Sequence, residues 1–218
     1  MRNMALRASV ILVIIALVVG CAPTIRELAD AKKVADAGDY TTLANREVTC
    51  ARSDRGCNQV HLIKGDACFR LATGGDAGRW DCAIRHLALG LDMTGGTTTE
   101  MASTQPHYES LLEALRQRRD AAHSHAEAAP FTAQLETRAQ AFHRAFPKAP
   151  GGYYYLASAR LTQALDTADT APTAACRTLN DLQSLLARAP AEHGRYAANL
   201  QRIEADIRGA KSTVRGCT

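Results

Sequence analysis

Residues 57–91 read CNQVHLIKGDACFRLATGGDAGRWDCAIRHLALGL. The run breaks at Thr73-Gly74-Gly75-Asp76-Ala77-Gly78, a cluster of turn residues. On both sides apolar residues recur at helical spacing, with Trp80, Ile84, Leu87 and Leu91 on one side of the later segment. Cys68 stands about seven residues before the centre of the turn and Cys82 about seven after it. Positions equidistant from the turn face each other when two helices run antiparallel. Helices usually pack about 8–10 Å apart, whereas a disulfide needs Cα atoms about 5.5 Å apart. The small residues Ala67, Ala72 and Ala83 permit that closer approach. The stretch therefore predicts a helix hairpin closed by Cys68–Cys82.

Working outward, Asp39 caps a predicted helix from Tyr40 to about Ala51, and Arg52-Ser53-Asp54-Arg55-Gly56 forms a turn. Cys50 then ends one helix and Cys57 opens the next, which favours Cys50–Cys57. Six cysteines follow Cys21, and six permit 15 connectivities. With two pairs assigned from helix positions, elimination leaves Cys176–Cys217. Such pairing belongs to an exported chain in an oxidising compartment.

Before this region, Thr24 to Gly38 reads as a helix with Ile25, Leu28 and Val34 at helical spacing, Thr24 and Glu27 forming a capping box, and Gly38 at its end. After it, residues 93–104 (MTGGTTTEMAST) carry no core pattern and read as a hinge or long loop. Further helices are expected from Gln105 to about Ala128, Pro130 to Phe146, Tyr153 to Thr167, Pro172 to Ala189, and Glu192 to about Gly209. The expected fold class is all-α: about nine helices in an array of antiparallel hairpins, clipped by disulfides.

The amino terminus carries a different message. Met1 to Ser9 holds Arg2 and Arg7 and no acid, and an apolar run of ten residues follows, Val10 to Val19. A basic head and a short apolar core before small residues make a secretory signal. The run is too short to span a bilayer, which takes about 20 residues. The ending Val18-Val19-Gly20-Cys21 resembles the lipobox of bacterial lipoproteins. That resemblance implies a signal peptide over residues 1–20, a mature chain over 21–218, and acylation of Cys21. Several acyl chains on one residue exceed what stable anchoring needs. Ala22, where an aspartate would retain the protein at the inner membrane, implies the outer membrane, with the chain facing the periplasm.

The 24 Lys and Arg residues after Gly20 meet 22 acids, a net charge of about +2. Near balance, with no clustered basic face, gives no support for nucleic-acid binding. Catalytic patterns are equally scarce. The seven histidines show no i, i+4 pair for a metal; His123 and His125 are two apart and face different sides of the expected helix. His61 and His86 lie on the two helices of the Cys68–Cys82 hairpin. There is no Gly-x-Ser-x-Gly elbow and no phosphate loop. No metal, cofactor or catalytic residue is therefore expected. Arg116-Gln117-Arg118-Arg119 reads as a solvated face. Tyr153-Tyr154-Tyr155 stands out, since three consecutive tyrosines cannot share one side of a helix. Two belong in the core and one at the rim, where it can serve a binding surface.

Two regions resemble tetratricopeptide-type repeats. Gly65 and Cys68 take the places of the family's first-helix Gly and Tyr, and Ala83 and Leu87 those of the small and bulky residues of its second helix. Ala157, Ala175, Leu179 and Pro190 take similar places in a second region. The Cys50 to Cys57 element is similar to Sel1-like repeats, in which a disulfide clips successive helices. The resemblance implies a concave face for peptides or partner proteins. Together these readings lead to one expectation: an outer-membrane lipoprotein acting as a non-catalytic adapter for an envelope protein in assembly, secretion or transport. Two alternatives carry their own marks. A periplasmic enzyme on cell wall or glycan would use an acid such as Asp76 or Glu113 beside the tyrosines. A ligand-binding accessory of a transporter would show a deep apolar pocket.

Overall fold

The computed structural model describes residues 22–94 and 98–217. Cys21 and residues 1–20, expected to be a signal peptide, lie outside the described residues. Among the described residues there are nine α-helices and no strand: α1 Ala22–Asp36, α2 Tyr40–Asn45, α3 Cys57–Thr73, α4 Trp80–Asp92, α5 Thr98–Asp120, α6 His125–Ala145, α7 Pro150–Thr167, α8 Pro172–Leu186 and α9 Ala197–Thr213. None of them is long and apolar enough to cross a membrane. The chain divides into two compact units, residues 1–100 and 101–218, with the division falling inside residues 93–104.

In the first unit, α3 and α4 form its tightest pair. A Cβ on Gly65 would stand 2.7 Å from Leu87 Cγ and 2.8 Å from the Leu87 backbone nitrogen; one on Gly90 would stand 2.7 Å from Leu62. Each helix thus receives the other's leucine against bare backbone. Contacts move down one helix as they move up the other, so the pair runs antiparallel. Cys68–Cys82 closes it at a Cα separation of 5.8 Å, and Ala83, next to Cys82 in sequence, is buried. Phe69 meets Trp80 edge-on at 5.7 Å. On the other side of α3, Ala31, Leu43 and Ala67 form a small core with Val34, Tyr40 and Ile63 packed on it.

Two details near α1 differ from the sequence expectation. The Thr24–Glu27 capping box is absent. Thr24 Oγ1 instead donates to Asp54, and the buried Glu27 carboxylate accepts from both the Thr49 N–H and its hydroxyl. That same pull ends α2 at Asn45, six residues before the expected end, since residues 46–50 are drawn out across α1. The cap at Asp39 is as read, with Oδ1 accepting from Thr42 N at 3.0 Å. Gly56 precedes α3 at φ 92°, a left-handed conformation that suits glycine, and lets the chain turn from Cys50 back to Cys57. Those two cysteines are bonded at a Cα separation of 5.7 Å.

Helix α5, most of which belongs to the second unit, starts at Thr98, earlier than expected, and runs through Pro106; Thr104 in this opening stretch is buried. It also ends early, at Asp120. Ser124 then caps α6 by accepting from Glu127 N, while Glu127 Oε2 accepts from His123 N. This is a variant of the capping box, with Glu127 reaching the N–H one residue before the cap; it is legible in Ser124-x-x-Glu127 and missed in favour of Pro130. His123 therefore lies before the helix and only His125 lies on it. Glu136 of α6 accepts from Arg160 and Gln163 of α7, and Gly152 lies against the His143 backbone; these helices run antiparallel. Across the other side of α7, Tyr155 meets Glu113 and Ser158 meets Arg119, so α5 and α7 run parallel. Cys176–Cys217 and the Lys211–Gln183 hydrogen bond pair α9 antiparallel with α8.

Candidate functional site

The three tyrosines divide as their positions demand. Tyr153 and Tyr155 are buried and Tyr154 is half-buried. Tyr153 donates to the Pro147 carbonyl and packs edge-on against His143 at 4.5 Å. Tyr154 and Tyr155 gather with Tyr196, their ring centres 4.9–5.9 Å apart. Gly151 makes this possible, because a Cβ there would sit 2.9 Å from the Tyr196 ring.

Beneath the rings lies a charged network on α5. Tyr155 donates to Glu113 Oε2 at 3.1 Å. The same carboxylate receives Arg116 Nε at 3.0 Å and Gln117 at 2.8 Å. Arg116 also reaches Asp120 at 2.6 Å. Burial pushes the Glu113 carboxyl up, but the hydrogen bonds and positive charge of Arg116, aided by Gln117 and Tyr155, outweigh it and hold the group below the usual carboxylate range. Burial, then the Glu113 charge, pushes the Tyr155 phenol far up. Glu113 is thus a fixed anion and Tyr155 a fixed donor. A glycosidase acid needs the opposite, a raised carboxyl. Asp76, the other candidate acid, lies exposed in the first unit and accepts from Arg79 at 3.1 Å.

The expected solvated face on 116–119 is a partial misreading. The Arg119 side chain is only 9% exposed, and it donates to the Ser158 carbonyl at 3.2 Å and hydroxyl at 3.0 Å. Arg118 sits 5.0 Å over the Phe131 ring. Glu113, Arg116 and Asp120 share one helix face at three- and four-residue spacing, a pattern visible in the sequence. The Arg119–Ser158 and Tyr155–Glu113 contacts are not, since they join α5 to α7 about 40 residues away.

Above this network α5, α7 and α9 enclose a half-open groove of about 230 Å³. Arg116, Arg119, Tyr154, Asn199, Arg202 and the acidic Asp206 give it a polar wall; Leu161, Leu165 and Ile203 give it an apolar one. Leu165 is 50% exposed, one of two large apolar side chains so displayed among the described residues. The first unit offers a second polar contact. His61 and His86 meet across α3 and α4, Nδ1 to Nδ1 at 2.8 Å. Ring centres 5.0 Å apart place these nitrogens between the rings, pointing at one another. Burial, then the charge of Lys64, brings His86 down to about 4, and His61 is lowered by the same two causes. Both imidazoles are neutral near pH 7 and share one proton along this line.

Protein-family models give no match to the chain, and comparison with curated proteins and with solved structures gives no significant similarity.

Proposed function

We propose that the chain is an outer-membrane lipoprotein, held by acylated Cys21 and facing the periplasm, whose helices dock an envelope protein. The groove between α5, α7 and α9 carries this reading. It sets Arg202, Asp206 and the Tyr154 phenol beside the exposed Leu165, over Arg116 and Arg119 held by Glu113, Asp120 and Ser158, which suits an extended segment that brings a carboxylate to Arg202 next to an apolar side chain. Parallel α5 and α7 with antiparallel α6 between them support the tetratricopeptide-like reading, in which alternate helices line the binding face. Three disulfides suit a periplasmic chain. Glu113, held ionised, favours recognition over acid catalysis.

The test is photo-crosslinking in intact cells from a benzophenone side chain placed at residue 165. A specific envelope protein, captured from 165 and lost when Arg202→Glu is added, supports the adapter. Capture that is absent, or unchanged by Arg202→Glu, sinks it. Cys21→Ala separates anchoring from docking. It releases the protein from membranes if Cys21 is the lipid site, and leaves it membrane-bound if it is not.

A further inference from the structure

Cys50, Cys57 and His61 each present a ligand atom within 4.8 Å of the other two. Cys57 and His61 sit four residues apart on α3, so they share a face. Cys57 and His61 are buried, and Cys50 approaches from the extended segment before the turn. In the oxidised chain the two sulfurs are bonded to each other and neither is a thiolate. We propose that opening the Cys50–Cys57 disulfide converts this cluster into a zinc site, with Cys50, Cys57 and His61 as protein ligands and water as the fourth.

The chemistry balances as follows. A dithiol reductant supplies two electrons and two protons, the S–S bond breaks, two thiols form, and the reductant leaves as its own disulfide. Zn²⁺ then displaces both thiol protons to solvent and binds two thiolates. Two sulfurs and one imidazole are a ligand set zinc takes, at about 2.3 Å to sulfur and 2.0–2.1 Å to nitrogen. His61 Nδ1 is committed to His86, which leaves Nε2 for the metal. A zinc-bound histidine commonly hydrogen-bonds through its other nitrogen, which fixes the ring; His86 is a positioning residue of this kind. Cys57 is the first residue of α3, where the helix dipole favours a thiolate. Lys64 and Arg52 act against a cation beside His61 and Glu27 acts for it. The two thiolate charges decide the balance for Zn²⁺.

The test uses the full chain in detergent under nitrogen, reduced with a phosphine and titrated with Co²⁺ as a coloured stand-in for zinc. The expected result is one Co²⁺ per chain, with a near-ultraviolet thiolate-to-cobalt band and the visible bands of a four-coordinate ion. Cys57→Ser and His61→Ala remove these bands, and Cys176→Ser leaves them intact. His86→Ala weakens binding about 10- to 100-fold. The unreduced chain shows none of the bands. The proposal is overturned by their absence in the reduced parent, by undiminished bands in His61→Ala, or by the same bands before reduction. If reduction lowers helix content, Co²⁺ restores it in the parent and not in His61→Ala; no restoration overturns the site as well.

Discussion

The α3–α4 pair and the α5–α7 pair solve one problem, joining two helices, by opposite means. In the first unit backbone touches leucine: Gly65 receives Leu87, Gly90 receives Leu62, and Cys68–Cys82 bolts the pair. In the second unit long polar side chains reach across: Tyr155 to Glu113 and Arg119 to Ser158. A joint of bare backbone tolerates no added volume, because close-packed interiors leave no slack. A joint of hydrogen-bonded charges tolerates volume but not the loss of a partner, because the survivor stays desolvated. The first joint is therefore sensitive to size and the second to charge. The groove between α5, α7 and α9 lies over the second.

The largest expected effect tests whether the second unit also depends on covalent closure. Its Cys176–Cys217 bond spans 41 residues. Loop-closure entropy assigns it about 4 kcal/mol, against about 3 for the 14-residue Cys68–Cys82 loop. Cys176→Ser with Cys217→Ser will lower unfolding free energy in urea by about that amount. A loss below that of the Cys68/Cys82 double variant would break the ranking.

Gly65→Val comes next, at about 3 kcal/mol, since its side chain meets Leu87 backbone as well as side chain. Gly209, inside α9, has nothing within 4 Å of a built Cβ. Gly209→Ala will stabilise by about 0.5–1 kcal/mol from helix propensity alone. Trp80, the only tryptophan in the chain, makes its fluorescence a report on the first unit. Gly65→Val will advance that signal in urea, and Gly209→Ala will not delay it if the units melt separately.

On the polar joint, Glu113→Ala removes the carboxylate that accepts from the Tyr155 hydroxyl and leaves the Arg116 guanidinium only Asp120. It will cost about 2 kcal/mol, and Tyr155→Phe about 1 kcal/mol. Equal losses would show that the tyrosine, not the charge, carries the joint.

The last effect is on acid sensitivity, and it differs in pH window. His86 binds its proton more weakly folded, at about 4, than at the ordinary 6.5. Between these values the unfolded chain takes up more protons, so the first unit loses stability as pH falls from 6.5 towards 4. Glu113 is also depressed, from an ordinary 4.5. Its contribution is complete above that value and is lost as pH falls through its lower folded value. Trp80 fluorescence in thermal melts will fall in midpoint across the first window, and His86→Gln will flatten that slope. The tyrosine near-ultraviolet signal, mostly from the second unit, will hold until lower pH.

Much of the fold was legible because its signals are local or are set by distance from a turn. Cys68 and Cys82 announce their pairing by symmetry about Gly74-Gly75, and the apolar spacing of Leu87 and Leu91 sets the helix face. The misplaced boundaries have physical causes. Val48 and Thr49 lie in a segment the sequence reads as helix, yet buried Glu27 offers Thr49 two hydrogen bonds that an α2 extension would forgo. Ser124 and Glu127 mark a helix start, but Pro130, tolerated in the first turns, drew the boundary later. The site was legible only in part. Tyrosine crowding at 153–155 is visible in the chain, and so is the Glu113-Arg116-Asp120 spacing. Tyr196, which closes the tyrosine cluster, and Ser158, which holds Arg119, come from tertiary folding, which no local pattern encodes. The His61–His86 contact depends on α3 and α4 approaching to the distance that Gly65 and Gly90 permit.

The bond between Cys176 and Cys217 also governs how the molecule carries load. A pull between the amino terminus and the tail enters α8 through the sulfurs and bypasses the residues between them. That stretch, a sequence separation of 41, stays slack, so about 140 Å of chain, at roughly 3.4 Å per residue, is withheld from extension. A chain closed this way yields less under tension than its length in residues suggests, and α9, inside the closed loop, is relieved of the pull while the bond holds. The withheld slack is released in one step when the bond is reduced.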